Sequence, residues 1–198
     1  MHCIAFRLMS VLAVSAGLLS ADDDEKSRHR AERRLLKIEA RANSMAKPAG
    51  ADTLSRFLQS ETQRLMKQSK SLVVSSYEFD RILEAVDDLL DAREDLDSAA
   101  RQKEEDGKDD TSEKTAKRLE RAYFRVQQGE YFARLSGDEH GRQYVLGSRQ
   151  LYQMGRAAYD RREFRRANKL ASASSELVNV LENLAQAAVR RPEPPVLK

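Results

Sequence analysis

Cysteine, tryptophan and the common catalytic signatures are scarce or missing from this chain of 198 residues, and each absence removes a class of function. The single cysteine, Cys3, lies in an N-terminal segment that reads as a removable leader. The rest of the chain therefore has no thiol nucleophile, disulfide or thiolate metal ligand. There is no GxSxG, no HExxH and no glycine-rich phosphate loop, so nothing pairs a nucleophile with a base. Beyond the leader only His29 and His140 remain, more than a hundred residues apart, and both are expected to be solvent-exposed; no metal and no cofactor is expected. Asp138 and Glu139 beside His140 offer dispersed carboxylates for an enzyme, but acids in a glycine-flanked loop read first as turn and capping chemistry. With eight glycines, four prolines and 34% charged residues, the composition is helical.

Long apolar runs are also missing. The longest, Leu8 to Leu19, has twelve residues, short of the roughly 20 a membrane span needs. Arg7 in front of it, and Ala21 followed by Asp22-Asp23-Asp24, give the layout of a signal peptide cleaved after Ala21, with Val14-Ser15-Ala16 as a second site. The expectation is an exported protein, periplasmic or secreted.

Apolar residues recur at helical spacing through most of the chain. Ala31, Leu35, Ile38, Ala42 and Met45 trace a helix over about 27–47, ended by Pro48-Ala49-Gly50. Asp52 can cap a second helix running to about Ser75, and Ser76 a third carrying Phe79, Ile82, Val86, Leu89 and Leu96. A fourth begins at Thr111 or Ser112 and stops at "SGDEHG"; a fifth holds Tyr144, Ser148, Leu151 and Gly155; a sixth starts at Asp160, where Asp160 and Glu163 have capping-box spacing. The fold expected is all-α, an antiparallel bundle of about six amphipathic helices. Its parts are a leader over 1–21, an N-terminal half over 22–103, an acidic linker over 104–111, a C-terminal half over 112–188 and a disordered tail over 189–198.

Residues 148–181 resemble a tetratricopeptide repeat. Leu151, Met154, Gly155 and Ala158 fall on its first-helix positions, Ala167 and Ala171 on its second, and Glu163-Phe164 on the acidic-aromatic pair that often opens the second helix. The resemblance implies a hairpin in which Gly155 and Ala167 let two helices approach while Phe164 fills the corner. Asn179 stands where the repeat ends in proline, so the second helix is expected to run on. A near-match at "VQQGEYFARL" lies inside a stripe that reads as continuous helix.

Charge is distributed unevenly. Residues 77–110 hold fourteen acids against five bases, whereas the flanks 27–76 and 111–198 are each net +7. Arg30, Arg33, Arg34, Lys37 and Arg41 form one basic helix face, and Arg162, Arg165, Arg166 and Lys169 another. These faces are the expected binding surfaces, for another protein or for an anionic envelope component. Self-association through the acidic helix 77–103 is a further option. No aromatics interleave with the arginines, so no nucleic acid is expected. The chain thus reads as an exported, non-enzymatic interaction or scaffold protein, and alternatively as a periplasmic chaperone or a binder of anionic polymers or membrane surfaces.

Overall fold

A computed structural model describes residues 25–45, 53–74, 76–101 and 110–189. The leader, the Asp52 cap, most of the acidic linker and the tail beyond Val189 lie outside the described residues. Among those described, the fold is all-α: α1 over 25–44, α2 Thr53–Ser69, α3 Tyr77–Arg101, α4 Asp110–Ser136, α5 Gly141–Asp160 and α6 Phe164–Val189.

The centre of the bundle is α6, which packs against α3, α4 and α5, while α2 lies on α3. Its sequence accounts for that position. From Ala167 to Ala187 it buries alanines, leucines, valines and Ser174 around much of its circumference, and a helix apolar on several sides belongs inside. Both halves of the chain feed one core, with Leu58, Phe79, Leu89, Tyr144, Leu151, Leu177 and Leu181 in a single cluster. The two sequence halves are thus one packing unit.

The helix boundaries depart from the sequence reading where side chains compete with the backbone. α2 ends at Ser69 instead of Ser75. The hydroxyls of Ser69 and Ser71 donate to the carbonyls of Met66 and Gln68, favouring turns over continued helix, and Val73-Val74 add β-branched residues that lose rotamer freedom in a helix. α4 starts at Asp110, inside the expected linker, and α6 reaches Val189, inside the expected tail. Ser76 caps α3 as expected, its Oγ accepting from the Phe79 N–H at 3.1 Å.

The largest departure is at the α5–α6 corner. α5 keeps Asp160, and α6 starts at Phe164, so there is no capping box from Asp160. The Arg162 N–H donates to Tyr159 and the Glu163 N–H to Ala158, the paired bonds of a Schellman ending. Arg162 takes the left-handed position at φ 64°, where glycine is usual because a Cβ is unfavourable there.

The hairpin packing itself is present. Leu151, Ala158, Ala167 and Ala171 are buried, Met154 packs half-buried against the core, and Phe164 meets Tyr159 edge-on at 5.3 Å between ring centres. Ser148 and Ser174 each donate a hydroxyl to the other's carbonyl at 2.8 Å, stitching the close approach. A Cβ built on Gly155 would lie 3.3 Å from Leu119 and 3.4 Å from the Ala167 carbonyl. Gly155→Leu should therefore lower stability by about 2 kcal/mol through overpacking, against about 0.5 kcal/mol or less for Arg156→Leu on the exposed side. Urea unfolding of the two variants measures this, and equal midpoints would contradict the close corner.

Candidate functional site

The basic faces read from the sequence do not survive intact. On α1, Arg34 reaches Glu84 at 3.7 Å, and Arg41, two turns on, is held by Asp87, Asp91 and Glu94 together. The acidic face of α3 is thus met from within the chain, which holds the Arg41 guanidinium firmly protonated against the cost of its partial burial. Arg30, Arg33 and Lys37 stay exposed on α1.

The sixth-helix set divides in the same way. Arg162 lies in the left-handed turn and not on the helix. Arg166 is turned back to Glu163 at 3.1 Å, and Lys169 reaches across to Asp95 of α3 at 2.7 Å. The Glu163 carboxylate, drawn on by Arg161 and then Arg166, is held below its ordinary range. Of the four, Arg165 is exposed on α6 and has no ion pair among the described residues.

What the sequence reading missed is the partner face on α4. Lys114, Lys117, Arg118 and Arg121 converge with Arg165, Asn168 and Lys169 on one cleft of about 580 Å³ between α4 and α6. Six of its seven lining residues are cationic and none is acidic, with Lys117 paired to Glu113 and Lys169 to Asp95 just outside the lining. Asn168 fixes the two helices to each other at its edge, donating to the Thr115 hydroxyl at 2.8 Å. Further along, Arg125 bridges from α4 to Glu182 and Asn179 of α6. The spacing of Lys114, Lys117 and Arg121, three and four residues apart, was the available signal.

The face continues. At 100° per residue, Phe124, Tyr131 and Leu135 share the side of α4 that carries Lys117 and Arg121, and they are 58%, 58% and 42% exposed. A basic end therefore runs into an apolar end along one helix.

A second polar centre lies at the α2–α5 junction, and it corrects the expectation for His140. That imidazole is half-buried and its Nδ1–H donates to Glu61 at 2.6 Å, while His29 is exposed as expected. Glu61 is itself buried and also accepts from the Tyr144 hydroxyl at 2.7 Å and from Arg64 at 2.8 Å. Burial works to raise the Glu61 pKa, but the bonds from Arg64 and Tyr144 outweigh it and hold the carboxyl below its ordinary range. Burial, followed by the facing Glu61 charge, pushes the Tyr144 phenol well above its own.

Glu61, Asp138 and His140 bring ligand atoms within 4.8 Å of one another, a set that could hold a metal ion. The fit is poor, because Nη2 of Arg64 already bridges the two carboxylates, 2.8 Å from Glu61 and 2.9 Å from Asp138. A cation occupies the place the metal would take, and the donors are used. The loop chemistry of Asp138 is capping, its Oδ1 accepting from the His140 N–H at 2.9 Å.

No helix among the described residues is long and apolar enough to cross a membrane. Searches against protein-family descriptions, curated proteins and solved structures return no match.

Proposed function

We propose that this chain is a non-enzymatic helical binding module of the cell envelope, exported by its N-terminal leader, that captures an acidic, amphipathic segment of a partner protein along α4 and α6. The observation that carries the reading is the cleft: six cations from two helices and no acid in its lining. Like charges gathered in a concave site cost the free protein self-repulsion and accelerate encounter with opposite charge. The exposed Phe124, Tyr131 and Leu135 extend the same face and give an apolar half to which an amphipathic segment can dock. The α5–α6 hairpin, with its resemblance to a tetratricopeptide repeat, supplies the rigid backing for α6.

The test reverses Arg118, Arg121 and Arg165 to glutamate, with helix content confirmed by circular dichroism. Fluorescence anisotropy then follows a labelled peptide of glutamate and leucine in helical register, beside anionic phospholipid vesicles, across a salt series. Peptide affinity is expected to fall at least about tenfold in the triple variant, and to fall with salt in the parent. Parent protein that binds the vesicles and not the peptide would make this a membrane-facing surface instead, and an unaltered triple variant would leave the cleft a solvated face.

A further inference from the structure

A different cavity, of about 400 Å³, opens between α1, α2 and α3. Ala42 and Asn43 line it from α1, Gln63, Met66 and Lys67 from α2, and Arg93 from α3. Arg93 is 2% exposed, and its Nε and Nη2 have no hydrogen-bond acceptor. A guanidinium stays protonated in any protein environment and offers five donors, so a buried one without a counter-charge is strongly unfavourable. The chain treats its other partly buried arginines differently: Arg41, Arg64 and Arg125 are each matched to a carboxylate. Asp97, one turn along α3, is buried as well, yet among the described residues no ion pair joins Arg93 to a carboxylate. At the mouth Glu39 is already engaged by Lys70 at 2.7 Å, leaving the Lys67 ammonium exposed. The cavity is thus a polar recess with excess positive charge, a buried donor group at its inner wall and an apolar strip of Ala42 and Met66.

We propose that this cavity binds a small organic oxyanion, a carboxylate or a phosphate, anchored on Arg93, with Lys67 and Gln63 at the entrance and Ala42 and Met66 against its apolar part. The inference is independent of the α4–α6 cleft, since the two share no residue. It explains why an arginine is kept at a position where its charge is otherwise uncompensated: the ligand supplies the missing partner and shields the charge.

The test uses the full chain, with inorganic phosphate and glutarate as probes and sodium chloride at matched ionic strength as the reference. One of the two anions should raise the thermal midpoint by about 5 °C at a hundredfold excess over its Kd, and the one that does identifies the class. Arg93→Met, which fills similar space without charge, should lose the response and unfold no lower than the parent in chloride. Lys67→Met, at the exposed rim, should fold normally and weaken binding about fivefold by calorimetric titration. A parent that responds to neither anion overturns the proposal, as does an Arg93→Met variant that responds like the parent. Should Arg93→Met not fold, an unchanged affinity in Lys67→Met overturns it equally. The triple glutamate variant of the α4–α6 cleft is expected to keep the full response, and loss there would move the anion to that cleft and refute the assignment.

Discussion

Glu61→Ala is expected to lower the unfolding free energy by about 3–5 kcal/mol, the range for removing one member of a buried, charge-assisted network. The cost is high because one carboxylate serves three groups. His140 donates to one oxygen and Arg64 with Tyr144 to the other, so its loss strands a phenol and an imidazole and takes one of two carboxylates from a guanidinium. Tyr144 is fully buried and cannot turn to water, whereas Arg64 retains Asp138 at 2.9 Å. Tyr144→Phe removes a single donor and should cost only about 1–2 kcal/mol. The position of the network explains its weight. It joins α2 to the loop before α5 and to α5 itself, beside the edge contact of Phe57 with Tyr144 at 5.2 Å. Urea unfolding of both variants is the measurement, and a Glu61→Ala midpoint near that of the parent would mean that apolar packing alone holds α2. Because the folded Glu61 carboxyl sits below its ordinary value of 4.5, its contribution is present above that value. It is lost as the pH falls through the lower, folded one.

Helix count and much of the core could be read from periodicity, because an apolar stripe at steps of three and four is a property of one segment. The stripe places Phe79, Ile82, Val86 and Leu89 in the core, and all four are buried. What the stripe cannot carry is the partner of each charged face. Arg34 and Arg41 present the same spacing as Lys114 and Arg121, yet the first two are turned onto the acids of α3 while the others line a cleft to which the opposite helix brings no acid. Distinguishing them needs the packing of α1 on α3 and of α4 on α6, which is long-range information. The same holds for Glu61, which in sequence is one polar residue in an amphipathic helix. Its significance comes from His140 and Tyr144, about eighty residues away. At the α5–α6 corner the difference is local: Asp160 and Glu163 have capping-box spacing, but backbone bonds from Arg162 and Glu163 into the end of α5 take precedence.

Stability should also decline as the pH rises from about 4 to about 8, by about 3 kcal/mol in all, because of one carboxyl pair between α3 and α6. Asp88 and Glu176 face each other there, and burial pushes both above the ordinary carboxylate range. For Asp88 the nearby Glu176 charge adds to the effect of burial, a bond from Asn183 at 2.8 Å opposes it, and the result is a pKa of about 8. Neighbouring acids are relieved by cations, Arg41 holding Asp91 and Lys169 holding Asp95, whereas no ion pair reaches Asp88 or Glu176 among the described residues. Two carboxyls in that position share a proton more readily than they ionise together. The folded state therefore retains a proton that the unfolded chain releases near its ordinary value of 3.8. The resulting stability is complete below that value and disappears as the pH climbs through about 8. A full shift of this size corresponds to about 6 kcal/mol at 1.36 kcal/mol per unit, and the smaller figure allows for the solvent that still reaches the pair. Asp88→Asn keeps an oxygen for Asn183 and carries no charge at any pH, so it should flatten this slope. At pH 8 it should exceed the parent by about 2–3 kcal/mol, and near pH 4 the two should coincide. Denaturant midpoints at half-unit intervals from pH 4 to pH 8.5 give both curves. Curves that run parallel would show that the pair is ionised throughout, with α3 and α6 held together in spite of it.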